Sequence, residues 1–227
     1  MKLSGESLSG VNDFGIDVKI VDYLSHEIKK VHDLGVEIGI VIGGGNIYRG
    51  LDAQAQGIDN VTGDYMGMLS TIINSLALQN ALEKLGIYTR LLSAIDMDKI
   101  AEPFIKRRAI RHIEKKRIVI FGAGTGNPFF TTDTAASLRA LEIEAEVILK
   151  GTRVNGVYDK DPEKNSDAKM FSKITYNDAW SKQLKIMDQT AFTLSRENKI
   201  PVIVFNMNIK DNFKNVVLGK KIGTLVS

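Results

Sequence analysis

Short, largely apolar runs alternate with amphipathic segments along the first 150 residues of this chain, and this alternation constrains its fold more than any other feature. The runs at 36–42, 87–92, 117–121 and 145–150 have the length and the apolar content of strands that are buried on both faces. Strands that alternate with helices form a mainly parallel sheet covered by helices on both sides. An α/β fold with a central, mainly parallel sheet is therefore predicted.

Local signals predict where the helices begin and end. Asp17 can cap the first helix, and Gly35 stands where a left-handed residue would end it. Further helices are predicted at 63–86, near 103–115, near 131–142 and at 188–198, together with a short helix opened by Thr175, a strand after Pro201 and a final helix and strand.

Composition and charge exclude several classes of protein. With 227 residues, 44% of them hydrophobic, the chain can bury a full core and is most simply one domain spanning 1–227. A net charge of +3 is too small to indicate a nucleic-acid surface, and we interpret the basic segment 105–117 as the solvated face of a helix. The absence of cysteine, of an apolar leader and of apolar runs long enough to cross a bilayer favours a cytoplasmic protein without a membrane contact.

Glycine-rich loops follow several of the predicted strands, at the sheet edge where ligands of such folds bind. Gly43, Gly44 and Gly45 would expose backbone N–H groups to a phosphate, and Arg49 could add paired charge-assisted hydrogen bonds. The alternative is a tight turn beside a surface arginine. The sequence thus favours a phosphate-binding loop.

The segment GTGNPFFTTD, 124–133, leads from a predicted strand into a helix whose first amides and threonine hydroxyls could bind a phosphate. Asn127 has one donor and one acceptor for the imide edge of a pyrimidine. The adjacent phenylalanines belong either to the core, which is commoner for aromatic pairs, or to a base-stacking surface. Asp64 and Asp188 are either helix caps or ligand-binding groups: Asp64 for ribose hydroxyls, Asp188 for a metal or the transferred phosphate.

Common nucleotide-binding motifs do not account for these loops. The glycines at 122, 124 and 126 lack the rest of a dinucleotide-binding fingerprint, because Asn127 and Pro128 follow and the next strand ends in Lys150. The Asp-Phe-Gly at 13–15 has no catalytic His-Arg-Asp before it, and the chain contains no Walker A sequence. The three histidines have no spacing that indicates chemistry.

The segments KLSGE, VIGGGNIYRG, GDYMGML, GTGNPFFTTD, TRVNGVYDKDP and MDQTAF together closely resemble bacterial uridylate kinases, within the amino acid kinase superfamily. The resemblance covers nearly the whole chain. It implies a three-layer αβα sandwich that binds UMP over its N-terminal half and ATP over its C-terminal half. It also implies direct in-line transfer of the γ-phosphoryl group of ATP to UMP.

The resemblance assigns residues to these roles by position. ATP would contact Lys2, Leu3, Ser4, Gly5, Gly45, Arg49, Thr152, Tyr158 and Asp161. UMP would contact Gly44, Asp64, Thr125, Gly126, Asn127, Pro128, Phe129, Phe130, Thr131 and Thr132. Lys2, Arg49 and Asp188 would be catalytic, with Asp188 organising the lysine and metal network, and Mg²⁺ would be carried mainly by ATP with no protein ligand assigned. The resemblance further implies a homohexamer, inhibition by UTP and activation by GTP, to which Gly10, Val11, Asn12, Asp13, Phe14 and Gly15 would respond.

One departure concerns the first strand. In the family an apolar strand leads into KLSGE, whereas here only Met1 precedes Lys2. We expect Lys2 to hang from a mobile terminus. A form extended by a native apolar segment should be more stable and more active than the 227-residue form. Equal melting temperature and turnover of the two forms would refute this.

Two other functions stay open from the sequence. One is a kinase of the same superfamily that phosphorylates a carboxylate or a carbamate. The other is a nucleotide sensor without turnover.

Overall fold

The computed structural model describes residues 1–48 and 57–227. The strands are β1 (Lys2–Leu3), β2 (Gly39–Ile42), β3 (Thr89–Ser93), β4 (Glu102–Pro103), β5 (Ile118–Gly122), β6 (Ile148–Thr152), β7 (Lys173–Ile174), β8 (Val202–Asn206) and β9 (Thr224–Val226). The α-helices of the described residues are α1 (Val18–His32), α2 (Asn60–Lys84), α3 (Lys106–Glu114), α4 (Thr132–Glu142), α5 (Tyr176–Ser181), α6 (Gln189–Glu197) and α7 (Asn212–Val217), and a 3₁₀ helix spans Gly5–Leu8. None of these helices is long and apolar enough to span a membrane.

The strands form one sheet in the order β4-β3-β5-β2-β1-β6-β8-β9-β7. Every neighbouring pair in it is parallel except β8 and β9. Because parallel strands end at the same edge, the loops that follow β1, β2, β5 and β6 meet there. The predicted mainly parallel sheet is confirmed.

Helices cover both faces of the sheet, so the fold has three layers. Successive residues of a strand point to opposite faces. Accordingly, Ile40 and Ile42 of β2 pack in the same buried cluster as α1, α2 and α7, whereas Val41 packs in a different cluster with α3 and α4. A third cluster joins β6, β8 and β9 to α5 and α6. The α/β sandwich expected from the sequence is therefore the observed architecture.

Most predicted helix ends are confirmed by their capping bonds. The side chains of Asp17, Thr175 and Asp188 each accept a backbone N–H bond in the first turn of α1, α5 and α6. Gly35 and Gly86 have φ values of 82° and 79°, which only glycine adopts at little cost, and they follow α1 and α2.

Some predicted boundaries were wrong. The long helix begins at Asn60 and is capped by Asp59, so Asp64 lies in its second turn and is not its cap. The expected strand 36–42 covers only Gly39–Ile42, and strand 145–150 lies at Ile148–Thr152. Two-residue strands β4 and β7 were missed because they carry no periodicity of their own.

The first strand has two residues, yet it lies in the centre of the sheet. Lys2 pairs with Val41 of β2 and with Lys150 of β6, and Lys2 is 9% exposed. The expectation of a dangling Lys2 was therefore wrong. Beside Met1, a cavity of about 650 Å³ lies between β2 and β6. The Met1 amino group donates to Gly39 O at 2.6 Å, and its burial lowers its pKa to about 5.

Candidate active site

A carboxylate held between two lysines lies at the carboxyl edge of the central strands. Asp133, in the first turn of α4, forms ion pairs with Lys2 Nζ at 2.8 Å and with Lys150 Nζ at 2.6 Å. Lys2 and Lys150 are register partners on β1 and β6, so the sheet itself sets their spacing. Lys150 also donates to Ile186 O at 2.6 Å, which further restrains it. These three side chains form the lysine-aspartate cluster.

Burial and charge oppose each other in this cluster. Burial raises the pKa of the Asp133 carboxyl, but the charges and hydrogen bonds of Lys2 and Lys150 outweigh it, so that the pKa lies below its usual value. Burial lowers the pKa of Lys150, and the Asp133 carboxylate only partly offsets this. With both lysines protonated and Asp133 ionised, the cluster carries one net positive charge in a partly desolvated place, where electrostatic attraction is stronger than in water.

Asp188 lies at the edge of this cluster. It caps α6 by accepting from Ala191 N at 2.9 Å, and it accepts hydrogen bonds from the hydroxyls of Thr131 and Thr134. The carboxylate that pairs with the lysines is thus that of Asp133, while Asp188 joins α6 to the start of α4 and raises the pKa of Lys150 only through its charge.

A cleft of about 1180 Å³ opens on the β6 side of the cluster. Of the residues assigned to ATP, Lys2, Ser4, Thr152, Tyr158 and Asp161 line it, together with Lys150. Leu3 is fully buried and packs in the core instead. The cleft therefore brings the predicted residues of two distant parts of the chain to one surface, with the lysine-aspartate cluster at one of its walls.

The Gly43–Asn46 loop lies against Gly5 with almost no space between them. A Cβ atom on Gly5 would lie 2.6 Å from Gly43 O and 2.7 Å from Gly45 N, and one on Gly44 would lie 2.7 Å from Gly67 O of α2. Only glycine allows this close approach of backbones. Arg49, which the sequence assigns to phosphate binding, lies outside the described residues.

The loop at 124–131 lies between α2 and the start of α4. Asp64 Oδ2 accepts the Phe129 N–H at 2.7 Å, which fixes the loop to α2. Thr125 Oγ1 accepts the Asn127 N–H at 3.2 Å, and Asn127 Nδ2 donates to Thr125 O at 3.3 Å. Phe129 and Phe130 are 74% and 48% exposed, so the commoner interpretation, that both belong to the core, was wrong.

The start of α4 is organised by its threonines. Thr131 caps the helix by accepting the Asp133 N–H at 3.0 Å, and its hydroxyl donates to Asp188. The Thr131 hydroxyl is thus already engaged. The Thr132 hydroxyl faces Gly43, because a Cβ atom added to Gly43 would lie 3.4 Å from Thr132 Oγ1. Gly43 and Thr132 therefore bring the two glycine-rich loops together.

Segment 10–15, which the resemblance assigns to GTP, lies at the surface beside the Gly43–Asn46 loop. Val11 and Phe14 are 98% and 69% exposed. Gly15 N donates to Asn46 O at 2.7 Å, and Asn46 Nδ2 donates to Gly15 O at 2.8 Å. The segment is therefore attached directly to the loop.

No group of three or more His, Cys, Asp or Glu that could hold a metal ion occurs in residues 1–48 and 57–227. Magnesium in phosphotransferases is commonly bound through substrate phosphates and one or two carboxylates. The donor set here fits a metal that arrives with a nucleotide, with Asp188 as the carboxylate that the lysines leave unpaired.

Sequence reasoning missed Asp133 and Lys150. In the sequence, Lys150 only argues against a dinucleotide fingerprint, and Asp133 only ends the motif GTGNPFFTTD. A signal was present, because a lysine at the end of an apolar strand points to the sheet edge where ligands bind. Pairing it with Asp133 required the strand order.

Comparison with known proteins identifies the family of the chain. The model of the amino acid kinase family matches residues 1–206. A UMP kinase structure from Bacillus anthracis is 40% identical, with a TM-score of 0.97, over 100% of this chain and 93% of that one. A UMP kinase from Ureaplasma parvum is 42% identical, with a TM-score of 0.94, over 100% and 96%.

A uridylate kinase from Archaeoglobus fulgidus, 24% identical with a TM-score of 0.77 over 100% of this chain and 99% of that one, shares the fold. The match of the family model over most of the chain, together with identities of 40% and 42% over its full length, is decisive for membership. The chain belongs to the amino acid kinase family.

Proposed function

We propose that this chain transfers the γ-phosphoryl group of ATP to UMP and so forms ADP and UDP, reversibly, in pyrimidine nucleotide synthesis. The observation that carries this proposal is the lysine-aspartate cluster between the large cleft and the loops of GTGNPFFTTD. Two UMP kinases align with the entire chain at 40% and 42% identity, which supports the choice of UMP as acceptor.

Lys2 and Lys150 stabilise the negative charge of the transferred phosphoryl group. In phosphoryl transfer the protein mainly positions the reactants and stabilises charge on the transferred group. Lys2 and Lys150 both line the cleft, so their ammonium groups can bind the oxygens of the γ-phosphoryl group as it moves to the acceptor. Asp133 holds the two ammonium groups at fixed positions and reduces the repulsion between them.

The acceptor needs no general base. A phosphate monoester has its second pKa near about 6, so that much of the UMP is already a dianionic nucleophile at neutral pH. The acceptor phosphate would lie between the Gly43–Asn46 loop and Thr132 at the start of α4. Asp64 would hold the ribose hydroxyls and Asn127 the uracil, with Phe129 and Phe130 exposed beside them.

The donor would occupy the large cleft. Its phosphates would contact Lys2 and Ser4, and its nucleoside end would contact Thr152, Tyr158 and Asp161, all of which line the cleft. The resemblance adds the backbone at Gly5 and Gly45, which are not among the lining residues. Arg49 belongs to the same proposal, as a group that orients phosphates. Mg²⁺ bound to the ATP phosphates would neutralise part of their charge, with Asp188 at the edge of the lysine-aspartate cluster as a carboxylate ligand.

Self-association is part of the proposal, as a homohexamer. Tyr65, Leu69, Ile73 and Leu76 lie on one face of α2 at helical spacing, and each is between 39% and 50% exposed. The opposite face of α2 packs in the core, so the helix is apolar on both sides, as expected of a helix that a second copy of the chain covers.

Regulation and organisation complete the proposal. GTP would activate through segment 10–15 and UTP would inhibit. Residues 1–227 would act as one domain, with an acceptor half before the centre of the sheet and a donor half after it. Because ATP is the donor, the cytoplasm is the proposed compartment.

The test is UDP formation from Mg-ATP with UMP, CMP, dUMP or N-acetylglutamate as acceptor, in the presence and absence of GTP. We expect UDP from UMP, little product from CMP or dUMP, and none from N-acetylglutamate. Lys150→Met should lose at least about 100-fold in kcat, because one donor of charge stabilisation is removed.

Other outcomes would redirect the assignment. Phosphorylation of N-acetylglutamate alone would favour a carboxylate kinase. Tight UMP or UTP binding without any turnover would favour a nucleotide sensor.

A further inference from the structure

Two asparagines that no part of the proposed reaction uses face each other in the core. Asn46, the last residue of the Gly43–Asn46 loop, is 1% exposed, and Asn74, in the middle of α2, is fully buried. Asn46 Nδ2 donates to Asn74 Oδ1 at 3.0 Å, and Asn74 Nδ2 donates to Asn46 Oδ1 at 2.7 Å. The two amides thus form a reciprocal pair.

The second hydrogen of each amide binds a backbone carbonyl. Asn74 Nδ2 donates to Gly43 O at 2.8 Å, at the end of β2, and Asn46 Nδ2 donates to Gly15 O at 2.8 Å, in segment 10–15. All four amide hydrogens of the pair are therefore used. Reversing either amide would place an oxygen against a carbonyl, so the hydrogen-bond pattern allows one orientation of each side chain.

The pair joins three segments that are far apart in the sequence. Gly15 N also donates to Asn46 O at 2.7 Å, so that segment 10–15 is bound to the loop through both the backbone and the side chain of Asn46. Buried polar groups that lose their partners are costly, and a network in which every group is satisfied is correspondingly rigid.

The Gly43–Asn46 loop needs such an anchor. Gly43, Gly44 and Gly45 have no side chains that could pack, and glycine has the most backbone freedom to lose. In a trans peptide the C=O and N–H groups point in opposite directions. Because Asn74 on α2 holds the Gly43 carbonyl, the Gly44 N–H is directed away from Asn74. The side chain of Asn74 thereby sets the orientation of a peptide in the phosphate-binding loop.

We propose that Asn46 and Asn74 are positioning residues, which hold the Gly43–Asn46 loop in the conformation that binds phosphate and tie segment 10–15 to it. The inference rests on the proposed function, because it concerns the same loop. Neither side chain belongs to the proposed contacts of ATP or UMP. The pair acts through the backbone that it orients.

The kinetic test compares Asn46→Ala, Asn74→Ala and the double variant with Ser75→Ala. Ser75 is a matched control, because it is fully buried beside Asn74 and, among the residues that the structure describes, donates to Thr71 O within α2 alone. We expect each asparagine variant to lose about 10- to 100-fold in kcat, with KM for ATP and UMP changed less, since a displaced loop mispositions the phosphates. The double variant should lose little more than the worse single one, because the pair acts as a unit.

A second substitution separates positioning from packing. Asn74→Leu keeps a side chain of similar size but removes the bonds to Gly43 and Asn46, and it also serves if Asn74→Ala does not fold. A loss of kcat similar to that of Asn74→Ala supports the proposal. Wild-type kcat in Asn74→Leu, or an equal loss in Ser75→Ala at temperatures where all variants are folded, would overturn it.

Hydrogen-deuterium exchange tests the pair independently of turnover. If the wild-type chain forms no UDP, the proposed function fails, yet the positioning role is still measurable. Faster exchange in peptides covering 10–15 and 39–48 in Asn74→Ala than in Ser75→Ala supports the pair. Equal exchange in both variants contradicts it, whatever the activity of the wild-type chain.

Discussion

The two halves of the sheet hold their loops in different ways. On the acceptor side, buried hydrogen bonds fix the loops: Asn74 holds Gly43 O, and Thr71 Oγ1 accepts the Ala123 N–H at 2.8 Å. On the donor side, the polar stretch after β6 has one buried anchor, Val157 N donating to Thr224 Oγ1 at 2.8 Å, and its exposed part is held by ion pairs such as Arg153–Glu163 and Lys160–Asp167.

This difference indicates which side of the site is set by folding. Breaking a buried hydrogen bond leaves an unsatisfied group that costs about 1 to 3 kcal/mol, whereas an exposed ion pair contributes about 0 to 1 kcal/mol and is screened by salt. The acceptor geometry should therefore be preformed, and the donor loop should adjust to its nucleotide. The lysine-aspartate cluster joins the two halves.

The largest effect is expected at that junction. Asp133→Asn keeps the shape of the side chain but removes the charge that offsets Lys2 and Lys150, so that the two ammonium groups repel each other. We expect kcat to fall by about 1000-fold, the upper end for loss of one preorganised electrostatic group. Steady-state kinetics of folded protein measures this, with Asp167→Asn as the control. A loss of kcat below tenfold would mean that the lysine-aspartate cluster is not important for catalysis.

The next effect concerns the acceptor side alone. Asp64→Asn removes a charged acceptor of hydrogen bonds, and each such bond contributes about 1.5 to 3 kcal/mol. KM for UMP should rise about tenfold or more, KM for ATP should stay the same, and discrimination against dUMP should weaken. Kinetics with UMP, dUMP and ATP varied in turn test this. Unchanged kinetic constants in Asp64→Asn would show that Asp64 does not bind the ribose.

The stability of the donor half's core should depend on pH through Tyr176. Tyr176 donates to Ile200 O at 2.6 Å, and burial raises its pKa to about 12. Between pH 10 and 12 the unfolded chain loses this proton first, so that the free energy of unfolding should fall as the pH rises, by about 1 kcal/mol at pH 11.

Denaturant unfolding of the wild type and of Tyr176→Phe at pH 8 and 11 measures this contribution, because other titrating groups cancel in the difference. The loss should be smaller by about 1 kcal/mol in Tyr176→Phe. Identical losses in the two proteins would show that Tyr176 does not titrate differently in the folded state.

The smallest effect is expected in the donor loop. Asp167→Asn breaks the exposed pair with Lys160, in which Asp167 is 77% exposed. Unfolding free energy should change by less than about 0.5 kcal/mol and kcat by less than about twofold. A change above about 1 kcal/mol in the free energy of unfolding, measured by chemical denaturation, would show that the two halves do not hold their loops differently.

The candidate site was partly predictable. The glycine loop, the threonines at the start of α4 and the cleft residues Thr152, Tyr158 and Asp161 are predicted from motifs and a family resemblance. Asp133, Lys150, Asn46 and Asn74 were not assigned roles, because their importance depends on partners that are far away in the sequence. The exposure of Phe129 and Phe130 likewise depends on how the loop packs against α2.

The sequence by itself determined the class of fold and most helix ends. Apolar periodicity and capping bonds act within a few residues, so that Asp17, Gly35 and Thr175 could be interpreted without knowing the rest of the structure. Only the tertiary structure decided that β1 lies between β2 and β6 and that Lys2 stands beside Lys150. Strand order and register arise from packing across the whole core, and it is this packing that brings Asp133 between the two lysines.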